Sequence, residues 1–190
     1  MTEITCANYA EQLDKNTVVI DTRSNAQFKK GHFPNSINLM IGGKFETWLG
    51  SIIAPNEPFY LAAETERELD ELIKRIAKIG YEKQIKGAFT GNGCVQTPDK
   101  FDLEYFKLHL ADYTIVDIRN TTEVKKNLIF ANSIHIPLPE LRERIGEIPS
   151  GKPIVVHCAA GYRSAAGSSI LKSILTDTVI YDLGEAITTF

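Results

Sequence analysis

Pro153-Ile154-Val155-Val156-His157-Cys158-Ala159-Ala160-Gly161-Tyr162-Arg163-Ser164 reads as a strand that turns tightly into a helix. Ile154, Val155 and Val156 form a short apolar, β-branched run, the pattern of a strand buried on both faces. From Ser164 onward Ala165, Ala166, Ser168, Ser169, Ile170, Leu171, Ile174 and Leu175 follow a helical pattern. A cysteine therefore stands where the strand ends, in a loop that leads into a helix N-terminus.

That position has chemical consequences. The first N–H groups of a helix lack intrahelical partners, and the helix dipole there favours negative charge. Successive N–H groups in a tight loop converge into an anion-binding nest. A helix N-terminus and a neighbouring arginine both favour a thiolate over a thiol. Ala159, Ala160 and Gly161 carry little bulk, so the backbone can curl around the sulfur. Arg163 offers a planar fork to an anionic substrate, and Ser164 is expected to cap the helix. The plain alternative is a buried structural cysteine, which needs neither a glycine three residues on nor an arginine five residues on.

Cys158-Ala-Ala-Gly-Tyr-Arg163-Ser164 resembles the active-site loop of rhodanese-family sulfurtransferases, in the form Cys-x-x-Gly-x-Arg-Ser. The competing loop, that of cysteine phosphatases, holds five residues between Cys and Arg, whereas this chain has only residues 159 to 162. A shorter loop makes a smaller pocket, suited to a sulfane sulfur rather than a phosphoryl group. The resemblance implies that Cys158 is catalytic and passes a sulfane sulfur, as a persulfide, from thiosulfate or a low-molecular-weight persulfide to a thiol, cyanide or sulfite acceptor. It places Ala159, Ala160, Gly161, Tyr162, Arg163 and Ser164 around the substrate and requires no metal or organic cofactor.

Outward from this loop, the chain repeats itself. Val18-Val19-Ile20-Asp21-Thr22-Arg23 is echoed by Thr114-Ile115-Val116-Asp117-Ile118-Arg119, Asn35-Ser36-Ile37 by Asn132-Ser133-Ile134, and Pro58 to Ala63 by Pro153 to Cys158. The offsets are 96, 97 and 95, so a unit of about that length is duplicated. Each unit alternates strands with helices, which implies an α/β fold with a mainly parallel sheet flanked by helices. Expected helices include 24–30, 65–79, 102–110 and 141–148. The Asp-x-Arg motif and the segment Gly31-His32-Phe33-Pro34-Asn35-Ser36-Ile37-Asn38 extend the rhodanese resemblance to both units, residues 1–94 and 95–190. Asp117 and Arg119 match the family's pair and are expected to support loops near the site rather than to react. His135 and His157 are expected as satisfied neighbours of the sheet.

The first unit departs where it matters. Ala63 stands at the position of Cys158, followed by Glu64 and Glu66, which would repel an anion. It resembles an inactive rhodanese domain. The turn-rich stretch Thr90 to Pro98 is the expected boundary, and Cys94 and Cys6 are expected bystanders. In the second unit Asn127-Leu128-Ile129-Phe130 replaces the family's usual Gly-His. An inactive unit followed by an active one, with Phe45-Glu-Thr-Trp-Leu-Gly50 in the first, also resembles the rhodanese half of fusions with a metallo-β-lactamase-fold persulfide dioxygenase. A fusion or association with such a dioxygenase is therefore an expected partnership.

Composition sets bounds on partners and place. A net charge of −3 gives no electrostatic reason to expect nucleic acid. No apolar run reaches membrane-span length, and Met1-Thr-Glu-Ile lacks a signal pattern. Three scattered cysteines favour a reduced cytoplasmic setting. The four histidines form no metal-binding cluster. Two other classes remain open: a cysteine phosphatase or arsenate reductase using Cys158 and Arg163, and a non-catalytic interaction module.

Overall fold

The apolar runs of each half become strands, and the helices between them return the chain so that every strand pairs in parallel. The structure, a computed structural model, describes residues 9–91 and 101–190, which form two separate compact units. The boundary expected between residues 94 and 95 lies outside the described residues, as do Cys6 and Cys94.

In the first unit a short helix α1 (Tyr9–Gln12) precedes β1 (Val18–Asp21), α2 (Asn25–Lys30), β2 (Ser36–Asn38), α3 (Phe45–Ile52), β3 (Phe59–Ala63), α4 (Glu66–Ala77) and β4 (Ile85–Thr90). The sheet order is β2-β1-β3-β4, all parallel. Ser24 and Thr65 cap α2 and α4, each side chain accepting from the backbone N–H three residues on. On α4, Leu69, Leu72 and Ile76 are fully buried and Ile73 is half-buried at the edge of the same stripe, while Ile79, also half-buried, follows the end of the helix.

The second unit repeats the plan with α5 (Leu103–Leu108), β5 (Thr114–Asp117), α6 (Thr121–Lys126), β6 (Ile134–His135), β7 (Ile154–His157), α7 (Tyr162–Ile174) and β8 (Ile180–Asp182). Its sheet order is β6-β5-β7-β8, again all parallel. On one side of the sheet Phe106, Ile115, Phe130, Val155, Leu183 and Ile187 form the core. On the other, α7 lies so close that a methyl group on Gly167 would sit 2.6 Å from Ile118 Cδ1 and 3.3 Å from Val156 Cγ1. The helix expected over 141–148 does not form. Two 3-10 turns, Leu138–Glu140 and Ile145–Glu147, take its place. Gly146 lowers helix propensity inside the stretch, and Pro149 disfavours helical backbone at Ile148.

Both sheets are braced at the C-terminal edge in the same way. Asp21 and Asp117 are fully buried, and Arg23 and Arg119 close a fork on them, with Nε to Oδ1 at 2.9 Å in each unit. The arginine's carbonyl is then tied to the neighbouring strand, by Asn38 Nδ2 at 2.9 Å in one unit and by His135 Nε2 at 2.8 Å in the other. Because a carbonyl only accepts, His135 carries its proton on Nε2. Removing one arginine leaves a buried carboxylate without its counter-charge. Arg119→Leu is expected to lower stability by about 3–5 kcal/mol, and Arg23→Leu by a similar amount. Urea denaturation checks this, and Asp117→Asn added to Arg119→Leu is expected to restore part of the loss.

Candidate active site

β7 carries His157 and Cys158 to the C-terminal edge of the second sheet, where backbone bonds hold the strand end in place. Ile118 N donates to His157 O at 3.1 Å, and Leu183 N donates to Val156 O at 3.0 Å. The chain then reverses at Gly161, whose φ of 91° lies in the left-handed region. Its N–H points back and donates to Cys158 Sγ at 3.2 Å. A Cβ there would also lie 2.9 Å from the Gly184 carbonyl carbon and 3.0 Å from Glu185 N. Conformation and space therefore both demand glycine, and the segment after β8 forms the back wall of the loop. Cys158 is buried and is a free thiol.

The left-handed turn moves the start of the helix. Gly161, not Ser164, is the N-cap of α7, and Tyr162 is already helical. Ser164 falls within the first turn, where its hydroxyl donates to Gly161 O at 3.0 Å. It ties the turn to the helix instead of capping it. Ala159 and Ala160 are exposed on the loop, Gly161 is buried and Tyr162 is half-buried.

Arg163 reaches across to α6. Its Nη1 and Nη2 donate to the two oxygens of Glu123 at 2.6 and 2.7 Å, a two-pronged pair. Glu123 Oε2 also accepts from Asn120 N at 3.0 Å, at the start of α6. Arg163 and these contacts hold the Glu123 carboxyl down to about 2. Glu123, and next Cys158 through its charge and a side-chain hydrogen bond, push Arg163 up, against the opposing effect of burial. The guanidinium thus stands between a carboxylate and the sulfur. Sequence reasoning did not give Glu123 a place in the site. The Asn120-x-x-Glu123 spacing signals a helix start, but nothing in a separation of 40 residues signals its pairing with Arg163.

Asp117 and Arg119 do not touch the sulfur. Asp117 instead faces His157, the residue before Cys158. That imidazole is fully buried, with Nε2 3.6 Å from Asp117 Oδ2 and its ring edge-on to Phe130 at 5.0 Å. His157 lies against the Asp117 carboxylate and the Cys158 backbone, and His135 is bonded to Arg119 O. Burial pushes the His157 pKa down despite the nearby carboxylate of Asp117. Burial pushes the Asp117 pKa up, but the Arg119 hydrogen bonds and charge, with His157, outweigh it and the net shift is downward.

The matching loop of the first unit differs in backbone as well as in chemistry: Thr65, in extended conformation, is the N-cap, and α4 begins at Glu66, without the left-handed turn of Gly161. Ala63 ends β3, and Glu68 stands where Arg163 stands in the second unit. The Glu68 carboxylate accepts the N–H groups of Glu64 and Thr65 at 3.2 and 3.3 Å. The donors that would face an anion are already turned to the chain's own carboxylate. Among the described residues, no group of three or more His, Cys, Asp or Glu side chains could hold a metal ion, and no helix is long and apolar enough to cross a membrane.

Comparison with known families matches the rhodanese-like domain twice, at residues 5–88 and 102–185. No curated protein matches the chain. Among solved structures, a rhodanese-related protein from Thermoplasma volcanium is 35% identical over 40% of this chain and 74% of its own, with a TM-score of 0.35. Thiosulfate sulfurtransferase from Pseudomonas aeruginosa is 16% identical over 97% of this chain and 41% of its own, with a TM-score of 0.41. The 3-mercaptopyruvate sulfotransferase of Escherichia coli is 14% identical over 95% of this chain and 98% of its own, with a TM-score of 0.33. The chain thus spans less than half the length of the Pseudomonas enzyme.

Two measurements test this geometry. Gly161→Ala is expected to cost about 1–3 kcal/mol from the left-handed backbone alone, plus the contact with Gly184. Gly151→Ala, at φ 98° with nothing within 4 Å of a new Cβ, carries only the first part. Urea midpoints should therefore fall further for Gly161→Ala. The Glu123 pKa is depressed in the folded protein, so its contribution to stability is complete above the ordinary glutamate range and is lost as pH falls toward about 2. The stability difference between the native chain and Glu123→Gln is expected to shrink over that acid range, as read by unfolding at stepped pH.

Proposed function

The chain belongs to the rhodanese-like family through both of its halves, and on that premise we propose that its second unit is a sulfurtransferase in which Cys158 carries a sulfane sulfur. The observation that supports this most is the sulfur at the end of β7, accepting the Gly161 N–H at 3.2 Å with Arg163 beside it, at the start of a 13-residue helix. A negative sulfur in that position meets an N–H dipole, a helix N-terminus and a guanidinium.

The cycle has two steps. The Cys158 thiolate attacks the outer sulfur of thiosulfate or of a low-molecular-weight persulfide. A bond forms between Cys158 Sγ and that sulfur, the donor's sulfur–sulfur bond breaks, and sulfite or a thiolate leaves with the electron pair. A thiol, cyanide or sulfite acceptor then takes the terminal sulfur and regenerates the thiolate. This is covalent catalysis with ping-pong kinetics. Attack by a thiolate moves no proton, so the buried, neutral His157 need not act as a base. Ala159 and Ala160 leave the mouth open, and Gly161, Tyr162, Arg163 and Ser164 complete the loop around the transferred sulfur. Asp117 and Arg119 support that loop from below. No metal or organic cofactor enters the cycle, and a reducing cytoplasm suits it.

The first unit is read as a non-catalytic interaction module. Ala63 cannot carry sulfur, and Glu68 accepts the loop N–H groups that an anion would need. Together with the likeness of residues 45–50 to dioxygenase fusions, this supports a role beside a persulfide dioxygenase. The phosphatase reading has no observation in its favour, because only four residues separate Cys158 from Arg163.

Intact mass after incubation with thiosulfate tests the proposal. The native chain is expected to gain about one sulfur atom, lost again on adding cyanide or thiol, and Cys158→Ser is expected to gain none. A folded native chain whose mass is unchanged by thiosulfate, a thiosulfonate and glutathione persulfide would rule the sulfurtransferase reading out.

A further inference from the structure

Arg163 is the cation placed to meet an anionic donor at Cys158, and its fork is already taken. Both of its outer nitrogens are on Glu123, at 2.6 and 2.7 Å, and the two side chains are 12% and 34% exposed. A two-pronged arginine–carboxylate pair uses the same hydrogen-bonding edge that would grip a sulfonate. The next cation facing Glu123, Arg119, has its own fork on Asp117. The charge at the mouth of the loop is therefore balanced before any donor arrives.

Resting on the sulfurtransferase reading, we propose that Glu123 is a specificity-determining residue of this site, and that by cancelling Arg163 it makes the loop select singly charged sulfane donors over the doubly charged thiosulfate. Donor charge is the quantity discriminated. The carboxylate stays ionised throughout the working pH range, held down to about 2 by Arg163. A dianion entering this mouth meets a carboxylate as well as a guanidinium, and its second charge gains no partner. A monoanionic donor loses less from that arrangement. The transfer step is the same for both. The thiolate of Cys158 bonds to the outer sulfur, the bond between that sulfur and the sulfonyl sulfur breaks, and sulfite or a sulfinate departs with the electron pair. Total charge is conserved in each case.

Thiosulfate and benzenethiosulfonate separate charge from chemistry, since both transfer an outer sulfur from a sulfonyl centre and differ by one charge. The readout is the ratio of kcat/KM for thiosulfate to kcat/KM for benzenethiosulfonate on the full chain at low ionic strength. Glu123→Gln is expected to raise that ratio about tenfold, the size of one nearby charge interaction in a partly solvated site. Glu123→Asp keeps the charge and is expected to leave the ratio near the native value. Raising ionic strength to about 0.5 M is expected to shrink the effect of Glu123→Gln, because exposed charges are then screened within a few ångströms. A purely structural role would lower both donors together and leave the ratio unmoved, and that result overturns the proposal. Should Glu123→Gln fail to fold, the native chain itself decides: its ratio must rise with salt, and a flat or falling ratio overturns the proposal. Cys158 gaining no sulfur from either donor would instead overturn the sulfurtransferase reading, and this inference with it.

Discussion

The buried Asp–Arg fork is the interaction on which both units depend. A carboxylate with no exposure at the end of a central strand is tolerable only because an arginine two residues on folds back over it. That return fixes the loop after the strand, and the arginine's carbonyl then binds the neighbouring edge strand. Two strands and a loop are thus locked at the edge where parallel α/β sheets present their sites. In the second unit the same fork carries His157 beside it, and His157 is followed directly by Cys158. The sulfur's position is a consequence of electrostatics one layer below.

Above that brace the two loops part ways. Both leave the C-terminal end of a central strand and enter a capped helix. In one, Glu68 sits in the helix's first turn, with its carboxylate on the loop's own N–H groups. In the other, Arg163, which aligns with Glu68 in sequence, pairs with Glu123, and the Gly161 N–H donates to the sulfur. The two loops differ in backbone as well as in charge, an extended Thr65 starting α4 and a left-handed Gly161 starting α7. The fold needs the helix start satisfied, and a carboxylate does this well. Reactive chemistry needs it held open, which places the burden on Gly161 and on its contact with the segment after β8.

Much of this was legible in the sequence. The β-branched runs and their constant offset disclosed two copies of one α/β unit, because buried parallel strands must be apolar on both faces. Cys158, Gly161 and Arg163 stood out through their spacing within one loop. What escaped the reading was set by contacts distant in sequence or by backbone angles. Serine is a good capping residue, which points to Ser164, but the left-handed φ of Gly161 begins the helix earlier. Residues 141–148 include helix formers, but Gly146 and the following Pro149 work against a regular helix there. The Glu123–Arg163 pair joins two helix starts 40 positions apart, and His157 is buried by contacts with Phe130 and Asp117 that its sequence neighbours do not announce.

His157 shows how such a position is held. The imidazole is fully buried, 3.6 Å from the Asp117 carboxylate and edge-on to Phe130. The first unit has Ala62 at that position. Burial keeps the ring neutral, so it adds no charge to compete with Arg163 for the sulfur. Its flat face and edge fill the space between Asp117 and Phe130, which an alanine would leave void. The Asp117 carboxylate is turned toward Arg119, with the His157 ring beside it, so the ends of β5 and β7 are joined by one buried polar cluster.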